Sequence, residues 1–506
     1  MIKKLYFIPI ILILTSCSIF KQKAPQPERE FRGFWVATVV NIDWPKNSSD
    51  SIEKQKADYL KIIDFYDILN FNAAIVQIRT AGDAFYTSDY APWSEYLTGK
   101  EGIAPKNNEN LLEWMISETH KRGMEFHAWL NPYRATFDLD TLALSEKHDY
   151  YLHPDWMLKY GKKYYYNPGI PEVQEHLVSI IGEVVANYDI DAIHFDDYFY
   201  PYKIKDEVFQ DSVTFSQFSL PKQSLDDWRR SNVDSLIQNT HQKIKQEKPW
   251  VQFGVSPFGV WKNKSTDARG SDTQAGQTTY EDLYADPLLW MQNKWIDYII
   301  PQAYWSIDLS VASHKTILEW WAQNSNNTNL YIGNGPYKIR NNSDTAWNKK
   351  KELPNQISLG RGNAIVQGNA FFSAKSLMRN NDDVVKILKR KYYKQIALPP
   401  ISPISTHNKP INPSLKSQRI NNTNTVLKFN SLDDFRYALV FKVKNPNKPD
   451  ISFKKLMTRK IPISENEVGI TKDELKKNKN IAIVFIDKFG VKTNPIFINL
   501  EQTKHE

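Results

Sequence analysis

The sequence predicts an α/β fold, a (β/α)₈ TIM barrel followed by a small all-β domain. Between Arg32 and Tyr392, eight short apolar runs rich in β-branched and aromatic residues alternate with longer segments of helical period. A doubly wound sheet is the alternative, but no glycine-rich turn of the dinucleotide-binding type follows the first run. The eight runs are Gly33–Val40, Ala73–Ile78, Glu125–Leu130, Ala192–Asp196, Phe253–Phe258, Tyr298–Ala303, Leu330–Gly335 and Ala364–Phe372.

The segments between these runs carry the start signals of helices. Ser49-Asp50-Ser51 precedes the amphipathic segment Ile52–Leu69, and Pro171 opens a helix that extends to about Asn187. The segment 351–359 has a weaker helical pattern because Pro354 lies inside it. The other predicted helices are Leu111–Arg122, Leu225–Glu247, Tyr280–Asn293, Val311–Asn324 and Ala374–Tyr392.

The barrel domain is predicted to span residues 30–395, after which the sequence changes character. Prolines at 399, 400, 403, 410 and 413 indicate a linker over residues 396–415. Beyond it, strand-like stretches separated by turns rich in Asn, Pro and Asp are typical of a β-sandwich similar to fibronectin type III, over residues 416–506. The stretches are Asn424–Phe429, Phe435–Lys442, Ile481–Asp487 and Ile496–Leu500.

The N-terminus resembles a bacterial lipoprotein signal peptide over residues 1–17. Two lysines precede an apolar stretch, Leu5–Leu14, which ends in the small-residue site Thr15-Ser16-Cys17. The resemblance implies that Cys17 becomes lipidated and tethers the protein to a membrane through residues 18–29. Ser18 resembles the outer-membrane sorting choice of Gram-negative lipoproteins, so we expect an exported outer-membrane lipoprotein. An ordinary secretory signal or an apolar core segment is the alternative.

The composition excludes several classes of protein. A hydrophobic content of 41% excludes wholesale disorder, and the only long apolar run lies at the N-terminus, which excludes a multi-pass membrane protein. A single Cys excludes an intramolecular disulfide and a Cys-based zinc site. The net charge of +8 comes from residues 401–506, which hold 19 Lys+Arg against 10 Asp+Glu. These lysines alternate with apolar residues, which favours a solvated face over a nucleic-acid surface.

The strongest catalytic signal is the adjacent pair Asp196-Asp197 at the end of the fourth run. Active sites of TIM barrels lie at the C-terminal ends of the strands. Two neighbouring carboxylates repel each other, which raises one pKa and supplies a general acid beside an anion. A turn in which one Asp caps the next segment is the structural alternative. The ten histidines show no metal-ligand spacing, so neither a metal nor another cofactor is expected.

The side chains at other strand ends suit a sugar. Pyranose rings offer apolar C–H faces for stacking and hydroxyl groups for hydrogen bonding. The aromatic platforms predicted on this basis are Trp129, Trp261, Tyr304 and Trp305.

Three catalytic arrangements remain open at the level of sequence. In the usual glycosidase plan two carboxylates face each other across the scissile bond, and Asp43 and Asp83 are then the candidate partners of the pair. Alternatively, the two neighbouring carboxylates both take part in catalysis while the substrate's own 2-acetamido oxygen attacks C1. In the third arrangement Asp196 is the nucleophile of a retaining mechanism, and His194 shares its strand parity and points inward with it.

Several longer motifs resemble the glycosyl hydrolase-like 10 family. The resemblance covers Glu30–Tyr392, and Thr80 stands where the family pattern has Pro, a departure that affects only loop rigidity. The motifs include EFRGFWVAT from Glu30, QIRTAGDAFY from Gln77, HAWLNPYR from His127, FDDYFYP from Phe195 and SPFGVW from Ser256.

The resemblance implies a TIM barrel, often on an exported lipoprotein, and glycoside hydrolysis. One enterobacterial member of the family cuts peptidoglycan strands already stripped of peptide stems. Phe195-Asp196-Asp197 also resembles the pair of O-GlcNAcase-type hexosaminidases, which implies that Asp196 orients the acetamide and Asp197 is the acid/base. The family match further implies substrate-binding roles for Arg79, Asp83, His127, Asn131, Arg134, Gln302 and Tyr304.

The leading hypothesis is therefore a lipid-anchored glycoside hydrolase of peptidoglycan glycan strands or a related amino-sugar polymer. A hydrolase of another polysaccharide is the second hypothesis. A non-catalytic glycan-binding lipoprotein is the third, although the intact Asp pair argues against it.

Overall fold

The computed structural model describes residues 26–106, 110–444, 451–460, 466–476 and 478–501. The first ten strands in chain order are β1 Phe31–Val36, β2 Ala73–Arg79, β3 Glu125–Leu130, β4 Met157–Tyr160, β5 Lys163–Tyr166, β6 Ala192–Phe195, β7 Gln252–Val255, β8 Tyr298–Ile299, β9 Asn329–Asn334 and β10 Val366–Phe371. Eight of them close into a parallel barrel in the order β1-β10-β9-β8-β7-β6-β3-β2, which confirms the TIM barrel and excludes the doubly wound alternative. The remaining two, β4 and β5, form an antiparallel hairpin outside the barrel, which the sequence did not predict.

The barrel strands are buried on both faces, which explains why they are continuous apolar runs in the sequence. Every residue of β1 is buried. Phe31 and Trp35 belong to the layer inside the barrel, while Phe34 and Val36 pack in the layer between the strands and the helices. Inside, the ring of Phe31 stacks on Tyr331 with centroids 4.1 Å apart. Aromatic packing of this kind fills the barrel interior.

All helices except the last, which packs on strands of the C-terminal domain, surround the barrel. Ser51 caps the first helix by accepting a hydrogen bond from the Lys54 N–H at 3.3 Å. In chain order the helices are α1 Ile52–Ile68, α2 Glu95–Thr98, α3 Leu111–Lys121, α4 Asp149–Leu152, α5 Pro171–Asn187, α6 Ser212–Phe218, α7 Leu225–Glu247, α8 Thr279–Asp282, α9 Pro287–Gln292, α10 His314–Asn324, α11 Glu352–Arg361, α12 Ala374–Met378, α13 Asp382–Ile387 and α14 Lys472–Leu475, and a π-helical turn covers Leu388–Tyr392.

Two predicted helices are in fact interrupted. The segment predicted as Tyr280–Asn293 is divided between α8 and α9, because Tyr284 adopts a left-handed φ of 51° and Pro287 then begins a new helix. The segment predicted as Ala374–Tyr392 is broken by Asn380, whose φ is 49°. Pro354 is tolerated because it lies in the first turn of α11, where its missing N–H has no helical partner.

The C-terminal strands form two antiparallel sheets. Leu427, Val440 and Phe485 are buried in the core of this domain. Four of the strands were predicted, and the three that were missed, β11, β14 and β15, lie at sheet edges and carry charged residues. The strands are β11 Leu415–Ile420, β12 Asn424–Phe429, β13 Phe435–Lys442, β14 Leu456–Lys460, β15 Glu467–Thr471, β16 Asn480–Asp487 and β17 Ile496–Asn499, ordered β11-β12-β15 and β14-β13-β16-β17.

The β domain contacts the end of the barrel where the strands begin. Arg436 on β13 forms ion pairs with Asp189 at 2.7 Å and with Asp191 at 3.1 Å, and Asp191 immediately precedes β6. The start of the predicted linker is also packed against the barrel, because the Glu30 N–H donates to the Leu398 carbonyl at 2.9 Å. At the opposite end, where the strands finish, no described residue of this domain lines the barrel's cavity.

The predicted signal peptide, the lipidation site Cys17 and most of the tether lie outside the described residues. Within the part of the chain that is described, no helix has the length and apolar character needed to span a membrane.

Candidate active site

A cavity of about 360 Å³ opens at the C-terminal ends of the barrel strands, where the sequence placed the site. The side chains that line it follow most of the strands, and Lys163 comes from the β4–β5 hairpin. The lining residues are Trp35, Ala37, Val39, Val40, Ile42, Gln77, Trp129, Arg134, Phe137, Lys163, Asp196, Asp197, Tyr198, Tyr202, Ser256, Gln302, Tyr304, Tyr337 and Phe372.

A chain of hydrogen bonds across four neighbouring strands fixes Asp196. Its Oδ2 accepts from Nδ2 of Asn131 at 2.7 Å, and its Oδ1 accepts from the Tyr198 N–H at 3.1 Å. Asn131 Oδ1 in turn accepts from Nε2 of Gln77 at 2.7 Å, and Gln77 Oε1 accepts from the Thr38 N–H at 3.0 Å. Both oxygens of the Asp196 carboxylate are therefore held by donors, as an ionised group requires.

Asp197 has a different environment. Burial and the negative charge of Asp196 raise the pKa of Asp197 to about 7, although the Tyr202 hydroxyl donates a hydrogen bond to its Oδ2. Burial also raises the pKa of Asp196, against the attraction of the Arg134 guanidinium. Near neutral pH the pair consequently retains a proton, with a donor at Asp197 beside the hydrogen-bonded carboxylate of Asp196.

Aromatic side chains form the walls around this pair. Tyr304 and Phe372 lie with ring centroids 5.9 Å apart at an interplanar angle of 29°, and Tyr337 meets Tyr304 edge-on at 6.0 Å. Trp35 and Trp129 also line the cavity. Such rings supply the apolar faces against which sugars stack.

Comparison with known proteins identifies the chain. Residues 30–349 match the model of the glycosyl hydrolase-like 10 family. The chain belongs to the glycosyl hydrolase-like 10 family. It is 46% identical to glycosyl hydrolase YngK of Bacillus subtilis over 394 residues, which are 77% of each chain. It is 36% identical to glycosyl hydrolase DigH of Escherichia coli K12 over 374 residues, which are 69% of this chain and 84% of DigH.

Among solved structures, the glycoside hydrolase domain of PgaB from Bordetella bronchiseptica has 11% sequence identity and a TM-score of 0.49, covering 72% of this chain and 99% of that domain. Membership of the family makes the protein a glycoside hydrolase with a polysaccharide substrate. The hypothesis of a non-catalytic lipoprotein is excluded by the same finding.

The structure of this glycosyl hydrolase-like 10 protein brings seven of the sequence-predicted residues together. Six of them line the cavity and Asn131 contacts Asp196 directly. The six are Asp196, Asp197, Trp129, Arg134, Gln302 and Tyr304. The Tyr198 N–H does bond to Asp196, as in the capped-turn alternative, but both carboxylates still line the cavity.

His127 and His194 do not reach the cavity, which corrects their prediction as substrate-binding residues. Both lie inside the barrel, where the Tyr298 hydroxyl contacts Nδ1 of His127 at 2.8 Å and Nδ1 of His194 at 3.1 Å. Trp35 Nε1 donates to Nε2 of His194 at 3.3 Å, and burial lowers the pKa of His194 well below its ordinary value. His194 is therefore a neutral packing residue beneath the site, although it shares strand parity with Asp196.

Asp43, Arg79 and Asp83 lie outside the lining of this cavity, although Asp83 lines an adjoining cavity of about 140 Å³ that shares Phe137 with it. Asp43 accepts hydrogen bonds from the Ala37 N–H at 2.9 Å and from the Ser373 hydroxyl at 2.8 Å. Asp83 accepts from the Thr80 N–H at 2.9 Å, and Arg79 donates to the Asp83 carbonyl at 3.3 Å. These buried side chains hold the loops that frame the site.

Two of the predicted aromatic platforms pack elsewhere. Trp261 stacks on Trp320 with centroids 5.6 Å apart, and Trp305 meets Phe258 edge-on at 5.6 Å. Neither lines the cavity, so the structure does not bring these two predicted platforms to the Asp pair.

Sequence reasoning missed several lining residues. Tyr198 and Tyr202 could have been predicted from the sequence, because they follow the Asp pair closely. Lys163 carried no signal, since it reaches the cavity only through the unpredicted hairpin. The described residues contain no cluster of His, Cys, Asp and Glu that could hold a metal ion.

Proposed function

We propose that this protein hydrolyses glycosidic bonds in an amino-sugar polymer, most specifically peptidoglycan glycan strands. Asp197 is the acid/base, and Asp196 orients the substrate's 2-acetamido group. One observation carries the assignment: among the described residues, Asp196 and Asp197 are the only carboxylates that line the cavity.

Because no third carboxylate of the described residues lines the cavity, the geometry favours a mechanism in which the substrate itself supplies the nucleophile. Asp43 and Asp83, the candidate partners across the scissile bond, are engaged by loop hydrogen bonds outside the cavity. The acetamido oxygen then supplies the nucleophile: it attacks C1 while Asp197 gives its proton to the leaving oxygen. Water next attacks C1 and passes a proton to Asp197, which restores both the acetamide and the acid.

The hydrogen bonds of Asp196 favour an orienting role over a nucleophilic one. Both of its oxygens already accept hydrogen bonds, from Asn131 at 2.7 Å and from the Tyr198 N–H at 3.1 Å. A carboxylate held in this way is suited to accept the acetamide N–H and to balance the positive charge that develops on the attacking group.

We further propose that the chain is exported and lipidated at Cys17 in the outer membrane of a Gram-negative bacterium. The signal-like residues 1–17 support this proposal. We also propose that the β domain is of the fibronectin type III kind, which the sheets β11-β12-β15 and β14-β13-β16-β17 support. Incorporation of labelled fatty acid into wild type, lost in Cys17→Ser, tests the lipidation.

The catalytic proposal is tested with the full chain, purified in detergent, on peptide-free peptidoglycan strands. Wild type should release fragments that have gained one water, and Asp196→Asn and Asp197→Asn should each reduce the rate by about 10²- to 10⁴-fold. Asp197→Asn should recover on aryl glycosides, whose leaving groups need no proton. Asp234→Asn is the matched control, because Asp234 is a carboxylate with a raised pKa outside the cavity.

Full activity in both site variants would refute the assignment of the pair. Cleavage of a neutral plant or microbial polysaccharide, with no product from amino-sugar polymers, would establish the second hypothesis instead.

A further inference from the structure

Two cations line the same cavity as the catalytic pair. Arg134 follows β3 and Lys163 begins β5, far apart along the chain. The main chain brings them together: Arg134 pairs with Tyr165 in an antiparallel bridge, and the Ala135 N–H donates to the Tyr164 carbonyl at 3.1 Å. The hairpin is thereby fixed against the loop after β3, and Lys163 is held at the cavity beside Arg134.

Among the described residues, neither cation has an ion-pair partner of its own. Among the described side chains, no carboxylate oxygen lies within 4.0 Å of Lys163 Nζ or of the Arg134 guanidinium. Lys163 Nζ lies 4.3 Å from the centroid of the Phe137 ring, and the Arg134 guanidinium stacks at 4.4 Å on Tyr198. Arg134 donates only weakly, to the Thr80 carbonyl at 3.3 Å, and its buried Nε has no hydrogen-bond partner in the part of the chain that is described.

This arrangement leaves the cavity short of negative charge. Asp196 attracts Arg134, but Asp197 holds a proton near neutral pH, so two cations share one anion. Burial and repulsion from Arg134 lower the pKa of Lys163 to about 8, which shows that its charge is poorly compensated. An anionic group on a bound ligand would compensate the positive charge of Lys163 and Arg134.

We propose that Lys163 and Arg134 form a subsite for a carboxylate carried on a sugar ring of the substrate. The proposal rests on the proposed function and narrows it to amino-sugar polymers with free carboxylates. A guanidinium binds a carboxylate through two parallel N–H hydrogen bonds, and an ammonium on a flexible side chain adds a second positive charge that attracts it. Free carboxylates come from the lactyl ether of peptide-free peptidoglycan or from a uronate; an attached peptide stem turns the lactyl carboxylate into a neutral amide.

The test compares Lys163→Met with Lys162→Met, which removes an exposed lysine from the same hairpin turn. The substrates are peptide-free peptidoglycan strands, the same strands with their carboxylates converted to methylamides, and hyaluronan as the uronate polymer. On whichever of the two free-carboxylate polymers wild type cleaves, Lys163→Met should lower kcat/KM at least tenfold, mainly by raising KM. Lys163→Arg should retain most activity, and on methylamide strands Lys163→Met and wild type should be equal.

Binding separates this proposal from the catalytic one. In the Asp197→Asn background, adding Lys163→Met should raise the Kd for carboxylated polymer about tenfold, while adding Lys162→Met should leave the Kd unchanged. If wild type cleaves no amino-sugar polymer, the catalytic proposal fails and this binding measurement still decides the subsite. Equal Kd values for the Lys163 and Lys162 variants, or no binding of either polymer, would overturn the subsite.

Discussion

At the scale of single residues, two adjacent aspartates acquire different chemistry from their surroundings. Asn131 and the Tyr198 N–H stabilise a charged Asp196, whereas burial beside that charge favours a protonated Asp197. The same side chain is thus suited to act as an orienting anion in one position and as a proton donor in the next.

The first residue-scale prediction concerns pH. Because Asp197 must be protonated to assist departure of the leaving group and its pKa is about 7, kcat/KM should level off about one unit below that pKa and fall about tenfold per unit well above it. Rates on a natural strand between pH 5 and pH 9 would check this. An activity that rises through pH 8 would contradict the role of Asp197 as acid.

The second residue-scale prediction concerns Tyr202. Its hydroxyl donates to Asp197 Oδ2 and so stabilises the charged form of that carboxyl. Tyr202→Phe removes this donor and should raise the pKa of Asp197, moving the alkaline fall of kcat/KM to higher pH. Tyr90→Phe, at an exposed tyrosine outside the cavity, should leave the pH profile in place. A profile unchanged in Tyr202→Phe would show that Tyr202 does not tune Asp197.

At the scale of elements, polar contacts between helices place titratable groups in the outer shell of the barrel. Asp234 on α7 accepts a hydrogen bond from Nε1 of Trp290 on α9 at 2.6 Å, and burial raises the pKa of Asp234 to about 7. In the unfolded chain an Asp titrates near pH 4. As pH rises from about 4 to 7, the unfolded state therefore loses this proton while the folded state keeps it, and stability falls.

The element-scale prediction follows from this linkage. The unfolding free energy of Asp234→Asn should rise relative to that of wild type as pH increases from 5 to 7, and the difference should level off above pH 7. Urea denaturation of both proteins at each pH measures it. Asp226→Asn, an exposed position on the same helix, should track wild type throughout. A pH-independent difference for Asp234→Asn would contradict the raised pKa.

At the scale of the whole molecule, ion pairs join the β domain to the barrel. Arg436 pairs with Asp189 and Asp191, and Asp191 also accepts from Nε2 of His120 at 2.8 Å. The attraction of Arg436 and His120 holds the pKa of Asp191 well below its usual range. This network fixes the β domain against the barrel end opposite the cavity.

The whole-molecule prediction tests this junction. Arg436→Ala leaves Asp191 buried with fewer partners and should lower the unfolding free energy by about 3–5 kcal/mol, with the β domain unfolding separately in calorimetry. Arg419→Ala removes an exposed ion pair with Glu467 from the same domain and should cost at most about 1 kcal/mol. A single transition at the wild-type temperature for Arg436→Ala would show that apolar packing alone holds the domains together.

The sequence by itself determined the barrel, the end at which its cavity opens and the adjacent aspartates that we propose as the catalytic pair. Strands buried on both faces are mostly apolar, so all eight barrel strands were visible as short runs, and the parallel order placed Asp196 and Asp197 at the mouth. Interrupted helices were less visible, because a single left-handed residue such as Asn380 ends a helix without disturbing the hydrophobic period.

Only the tertiary structure decided which strand-end side chains meet in the cavity. His194 and Asp196 share a strand face, but His194 packs inside the barrel whereas Asp196 lines the cavity. The sequence period does not specify how deep in the barrel a side chain lies. Likewise, Lys163 reaches the site because backbone hydrogen bonds fold the β4–β5 hairpin against the loop after β3. Contacts between segments distant along the chain depend on the closed barrel, and no local pattern specifies them.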